Sequence, residues 1–263
     1  MKTMQFDLYG EYSVQRPSGT TDGRLNAYLH ESGNHPTMLV IPGGGYTFLS
    51  LPRSAPAIQS YFDLGYNCLE LLYSIAPSAY PVQLAEAVMA LDFAYSRADM
   101  LGLNKDKVIV TGFSAGGHLA AALTTIGCDE RVEAYLGQKL THRPDAMVLI
   151  YPVINLTDSI THEESATNVT GGNAELRGYL SVERHVTPDT PPTFIAHATT
   201  DAIVPFANSE RFAEALENQG VRYDFKVFPK GRHGMVLEKD DEDGKCWSKW
   251  FDMSVEFLSK LGL

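Results

Sequence analysis

Apolar and polar residues alternate in short runs cut by glycine and proline, and the period of the alternation changes along the chain. Residues 4–10 and 24–31 alternate with period two and read as two opening strands, joined by a turn at 19–23. This predicts an antiparallel entry hairpin at a sheet edge. Residues 37–41 are an unbroken apolar run, hence a buried strand. A helix over 56–64 is closed by Gly65, and a second apolar strand covers 66–73. A long helix begins at Ser78-Ala79-Tyr80-Pro81 and ends at Gly102. Within it Leu84, Val88, Leu91 and Tyr95 recur at helical spacing and predict one buried face.

Residues 107–111 form the next strand, and a helix of small residues follows to about Ile126. After a strand at 145–151 the periodicity fails. Residues 153–190 are polar, contain Gly171-Gly172, and are too long for a plain connection. They read as an insertion over the C-terminal edge of the sheet, with short helices around 162–168 and 173–180. Residues 192–198 are a strand ending in Thr199-Thr200-Asp201. A helix at 209–220, a strand at 223–228 and a closing amphipathic helix at 247–261 complete the chain. Strands alternating with helices at this spacing predict an α/β fold with a mostly parallel, doubly wound sheet and helices on both faces.

At 263 residues the chain could hold one large domain or two small ones. No repeat, low-complexity run or shift of composition marks a boundary, so a single domain over 1–263 is expected, with 153–190 as its lid. The formal net charge of −11 disfavours nucleic acid as a partner. Cys68, Cys128 and Cys246 show neither metal-ligand spacing nor a disulfide framework, which points to a reducing compartment and to no metal. The N-terminal residues have no apolar signal region, and no stretch reaches membrane-spanning length. A cytoplasmic protein without signal peptide or membrane segment is expected.

The chemistry gathers around Gly112-Phe113-Ser114-Ala115-Gly116. Gly-x-Ser-x-Gly between a strand and a helix is a nucleophile elbow, and both neighbours have the required character: Val108-Ile109-Val110 before, Leu119-Ala120-Ala121-Ala122-Leu123 after. The glycines make room for a strained serine at a helix N-terminus, where free N–H groups favour negative charge. Pro42-Gly43-Gly44-Gly45-Tyr46 leaves an earlier strand on the same side. It reads as a backbone that approaches a ligand closely and points N–H groups at an oxyanion.

A serine hydroxyl needs a base, and the base needs a carboxylate. On this topology the acid precedes the histidine. His233 is the histidine downstream of Asp201, in a glycine-flanked turn after the last strand. His118 is too close to Ser114 to reach its hydroxyl, and His197 reads as a packed or hydrogen-bonded strand residue. Asp201 ends a strand, where open α/β sheets collect site residues. Asp145, Asp158, Asp189 and Asp224 are less well placed. The oxyanion site would combine the Ala115 N–H with one or two from Gly43-Gly44-Gly45. Tyr46, Phe48 and Tyr73 are candidates for the substrate pocket.

With these residues the chain resembles the α/β-hydrolase superfamily over nearly its whole length. More narrowly it is similar to small esterases and acyl-sugar hydrolases related to hormone-sensitive lipase and to acetyl-xylan and feruloyl esterases. The carrying motifs are Ile41-Pro42-Gly43-Gly44-Gly45-Tyr46, Gly112-Phe113-Ser114-Ala115-Gly116-Gly117-His118, Asp201-Ala202-Ile203-Val204-Pro205 and Arg232-His233-Gly234. The resemblance implies Ser114 as nucleophile, His233 as base, Asp201 as its orienting acid, and oxyanion N–H groups on Gly44, Gly45 and Ala115. The hormone-sensitive lipase pattern has histidine where this chain has Pro42, which favours the sugar-esterase branch. That lipase branch also carries a long N-terminal cap; none is expected here, and 153–190 is expected to serve as the lid.

The expected function is hydrolysis of short acyl esters, acetylated sugars or xylo-oligosaccharides among them, through an acyl-enzyme and without a cofactor. A small-molecule ester is the expected partner, and a homo-oligomer is compatible with the sequence. A serine peptidase of the same fold and a non-catalytic binding module are the rival readings. The first would require an extra domain or an acidic amine pocket; the second would show a missing triad member.

Overall fold

The protein is described by a computed structural model at residues 1–18, 20, 22–237 and 247–263. Strand β1 (Lys2–Asp7) pairs antiparallel with β2 (Arg24–Leu29) at one edge of the sheet. Residues 8–10 do not continue β1. They belong to helix α1 (Leu8–Tyr12), because the Asp7 carboxylate accepts the Tyr9 N–H and caps a helix there. The entry is therefore strand, helix, strand rather than a hairpin. Positions 19 and 21 of the expected turn, and Cys246, lie outside the described residues.

Strand β3 (His35–Ile41) is followed by α2 (Leu51–Asp63) and β4 (Asn67–Leu72). Helix α2 starts at Leu51 rather than at Pro56, since Pro52 occupies its first turn, where no N–H is required. The long helix expected to reach Gly102 is divided into α3 (Val82–Ser96) and α4 (Ala98–Leu101), with Gly102 at φ 67° closing the second. Strand β5 (Leu103–Phe113) leads directly into α5 (Ala115–Ile126). The sequence reading has no counterpart to α6 (Glu130–Leu136), which Asp129 caps by accepting the N–H groups of Arg131 and Val132.

Strand β6 (Ala146–Ile150) opens onto the polar segment, which holds α7 (Glu163–Thr170), α8 (Ala174–Tyr179) and a 3-10 turn at Val182–His185. Then come β7 (Thr193–Ala198), α9 (Ala207–Asn218), β8 (Tyr223–Phe228) and α10 (Lys249–Ser259). The sheet order is β1-β2-β4-β3-β5-β6-β7-β8; β2 pairs antiparallel with both β1 and β4, and all the other pairings are parallel. Among the described residues no helix is long and apolar enough to cross a membrane.

The period of two divides the core into two layers. Leu39, Leu69, Val110, Leu149 and Ile195 face the side covered by α3, α5 and α9. Val40, Cys68, Ile109, Val148 and Phe194 face the side covered by α2 and α10. Helix α3 departs from the amphipathic expectation. It lies between the sheet, α1, α5 and α6, and it is buried on every side, polar residues included.

Glu86 on α3 is fully buried and accepts hydrogen bonds from the Tyr9 hydroxyl (2.7 Å), the Ser74 N–H (2.6 Å) and the Ser74 hydroxyl (2.6 Å). Burial pushes its carboxyl up to about 7, and the three hydrogen bonds oppose this only in part. A folded-state value above the ordinary 4.5 means that its contribution is full below that pH and is lost as pH rises through about 7. Glu86→Gln removes the titration. Measured by denaturant unfolding, this variant should gain roughly 2–3 kcal/mol relative to wild type between acid and mildly alkaline pH. An offset that does not change with pH would contradict the assignment.

Candidate active site

Ser114 joins β5 to α5 with φ 56° and ψ −120°, a region that costs a non-glycine residue free energy. Its surroundings hold it there. The Ser114 N–H donates to the Ile150 carbonyl (3.0 Å), and its own carbonyl accepts from Val153 N–H and His118 N–H (both 3.1 Å). A Cβ on Gly116 would lie 2.3 Å from the carbonyl oxygens of Ile41 and Pro42, so only glycine lets β3 approach the helix start. The serine is mostly buried, with its hydroxyl facing a cavity.

The turn after β8 brings His233 to that hydroxyl. Its Nε2 lies 2.7 Å from Ser114 Oγ, and its Nδ1 lies 2.7 Å from Asp201 Oδ2. A carboxylate only accepts, so Nδ1 carries the proton and Nε2 receives the serine O–H. This order allows the imidazole to take a proton from the hydroxyl while the carboxylate stays charged. Asp201 follows β7, as expected. Its Oδ1 accepts the N–H groups of Ile203 (2.9 Å) and Val204 (3.0 Å). Burial alone pushes its carboxyl up. The hydrogen bonds from His197 and His233, with the charge of His233, outweigh that and hold it well below the usual range.

His197 is a partner that the sequence reading did not assign to Asp201. It is fully buried, and its Nε2 lies 3.2 Å from both Asp201 Oδ2 and the Val204 carbonyl. The carbonyl can only accept, so Nε2 is an N–H shared by the two oxygens. Nδ1 then accepts from the Ser209 hydroxyl (2.8 Å). The signal lay in the spacing: His197 and Asp201 are four residues apart across a strand end.

Gly43, Gly44 and Gly45 run beside Ser114. A Cβ on Gly43 would meet Ser114 Cβ at 3.2 Å. Gly44 has φ 132°, and a Cβ there would lie 1.9 Å from the Phe48 carbonyl, which makes glycine obligatory. The N–H groups of Gly44, Gly45 and Ala115 donate to no described residue.

Tyr46 and Tyr73 do not line the cavity, contrary to expectation. Both are fully buried beneath the glycine loop. The Tyr73 hydroxyl donates to the Pro42 carbonyl (2.9 Å), and the Tyr46 hydroxyl donates to His118 Nδ1 (2.8 Å). His118 Nε2 donates to the Leu180 carbonyl (2.8 Å), and burial pushes its imidazole down to about 4, so it is neutral. Both tyrosine rings brace the loop and are unavailable to a ligand. Phe48, by contrast, stands at the cavity rim with 59% of its surface exposed.

The cavity has a volume of about 260 Å³. Three of its lining residues have no role assigned from the sequence. Tyr151, at φ 40°, sets its ring 4.7 Å from that of His233. His162 and Glu164, at the start of α7, line the cavity from the polar segment. Asn168 of the same helix donates to the Gly45 carbonyl (2.9 Å) and to Thr47 Oγ1 (2.8 Å), tying the segment to the glycine loop. Among the described residues no group of histidine, cysteine, aspartate or glutamate is arranged to hold a metal ion.

A protein-family model described as BD-FAE matches residues 25–216, and the Dienelactone hydrolase family model matches 180–261. Endo-1,4-beta-xylanase B of Butyrivibrio fibrisolvens is 32% identical over 88% of this chain, and Acetylxylan esterase of Xylanibacter ruminicola is 25% identical over 99%. The chain spans only 37% and 51% of the lengths of these two relatives. The crystal structure of an acetyl ester-xyloside bifunctional hydrolase from Caldicellulosiruptor lactoaceticus superposes with a TM-score of 0.81. It is 33% identical, and the match covers 91% of this chain and 88% of that one. The sheet order and the turn that carries Ser114 are those of the α/β-hydrolase fold, and with the family model matched across most of its length the chain belongs to the BD-FAE family.

Proposed function

We propose that the protein is a serine carboxylesterase that removes short acyl groups, with acetyl groups on sugars or xylo-oligosaccharides as its substrates. The observation that carries this reading is the unbroken hydrogen-bond chain from Ser114 through His233 to Asp201. In the proposed reaction Ser114 Oγ attacks the ester carbonyl as His233 Nε2 takes its proton. The N–H groups of Gly44, Gly45 and Ala115 hold the oxyanion, and the proton on His233 passes to the departing alcohol. Water, activated by the same imidazole, releases the acyl group from Ser114. Residues 153–190 act as a cover over this site within a single catalytic domain.

Two features support a short acyl chain and a sugar alcohol. The cavity is small for a ligand site. Among the relatives are an acetylxylan esterase and an acetyl ester-xyloside hydrolase.

Ser114→Ala should lower the turnover of p-nitrophenyl acetate roughly 10³-fold or more with the fold intact by circular dichroism. Near-wild-type turnover would remove the basis of the reading. Across p-nitrophenyl esters from acetate to decanoate, kcat/KM should be highest for the shortest chains; a maximum at the long end would exclude acetyl esters as the natural class. His197→Leu deletes one donor to Asp201 and should reduce kcat/KM roughly 10- to 100-fold, with His197→Gln, which keeps an N–H, recovering much of the loss. Equal losses in the two variants would show that the N–H is not what matters.

A further inference from the structure

One wall of the cavity is polar, and the ester chemistry proposed above makes no use of it. The start of α7 places His162 and Glu164 on the cavity that Ser114 and His233 also line. His162 Nδ1 accepts the Ser165 N–H (3.4 Å) and lies 2.8 Å from the Ser165 hydroxyl. A ring nitrogen that accepts a backbone N–H carries no proton of its own, so in the neutral ring the proton sits on Nε2. Burial, and the neighbouring His233, push the His162 imidazole down and favour that neutral form. Its Nε2–H has no hydrogen-bond partner among the described residues.

Glu164 supplies the opposite polarity. Its Oε1 accepts the Thr47 hydroxyl (2.7 Å), whereas Oε2 has no hydrogen-bond partner among the described residues. The carboxylate lies against the glycine loop: a Cβ on Gly45 would sit 3.3 Å from Oε2. Negative charge in this place opposes an oxyanion forming at the adjacent N–H groups. A ligand group that donates to Oε2 would offset that repulsion. A carboxylate on the substrate would be repelled. An ammonium could donate to Glu164 but could accept nothing from His162. A hydroxyl does both.

We propose that His162 and Glu164 together bind a free hydroxyl on the alcohol part of the ester, so that partial esters of polyols and sugars are selected over esters of simple alcohols. The proposal rests on the esterase reading of Ser114. It assigns to the 153–190 segment the recognition of the leaving group, and it leaves the acyl group to the apolar side formed by Phe113 and Val236.

The test compares two acetates of nearly equal size, 2-hydroxyethyl acetate and propyl acetate, which differ by a hydroxyl in place of a methyl. Wild-type kcat/KM should be roughly ten-fold higher on the hydroxy ester. Glu164→Ala and His162→Asn should each bring the ratio close to one. Asparagine keeps the cap on the Ser165 N–H but is too short to reach the cavity. Glu164→Gln has a single acceptor oxygen for which the Thr47 hydroxyl competes, so it should retain only part of the preference, and thermal unfolding verifies that each variant folds. A wild-type ratio near one overturns the proposal and leaves the esterase reading standing, and so does a ratio unchanged in Glu164→Ala and His162→Asn. Failure of the wild type to cleave either ester, with no labelling of Ser114 by a fluorophosphonate, overturns both.

Discussion

The site depends on one backbone conformation, that of Ser114. A serine at φ 56° and ψ −120° costs of order 1–3 kcal/mol, and its side chain makes no capping hydrogen bond to the helix it opens. The compensation comes from the two neighbouring strands. Strand β6 supplies the Ile150 carbonyl to the Ser114 N–H, and the chain just beyond it returns the Val153 N–H to the Ser114 carbonyl. Strand β3 closes from the other side against Gly116, where a single methyl group would collide with two carbonyl oxygens at 2.3 Å. The elbow is thus held by the sheet register, and the hydroxyl inherits its position from backbone that cannot adjust independently.

The same structure shows how much burial alone fails to decide about a charge. Glu86 and Asp201 are both withdrawn from water, and burial raises both. Glu86 receives three hydrogen bonds from uncharged groups and remains well above its ordinary range. Asp201 receives two backbone N–H groups and two imidazoles, one of them able to carry a full charge, and falls well below. What separates them is the set of donors, two imidazoles added to the backbone at Asp201 against two hydroxyls and one backbone N–H at Glu86, together with the deeper burial of Glu86. The second kind of setting keeps a buried carboxylate ionised beside a histidine.

What was legible in the sequence was local. The apolar runs of β3, β4, β6, β7 and β8 and the glycine punctuation around Ser114 each declare themselves within a few residues. The order of Ser114, Asp201 and His233 along the chain is enough to place them at one sheet edge, and there the structure brings them into hydrogen-bond contact. Helices α1 and α6 escaped because each is short and is decided by a single capping carboxylate, Asp7 or Asp129. Spacing on α3 suggested one buried face because an isolated helix shows no sign of the elements that later enclose it. Tyr46 and Tyr73 looked like ligand contacts from their nearness to the glycines. Their hydroxyls found partners below the loop instead.

The residues that sequence reasoning could not reach come to the site by two routes. His162 and Glu164 meet the site only because the chain after β6 folds back over it, whereas Tyr151 reaches it from the end of β6, which the sheet register sets beside Ser114. The backbone devices of the elbow tolerate almost no variation, since each glycine is fixed by a contact shorter than a side chain allows. The side chains of α7 are under no such constraint. Their helix is anchored through Asn168 to the Gly45 carbonyl and through the His162 cap, while the Glu164 carboxylate stays accessible to whatever enters. A fold built this way fixes the Ser114 hydroxyl through backbone contacts and leaves the facing wall of the cavity to side chains of α7, which can change without disturbing the elbow.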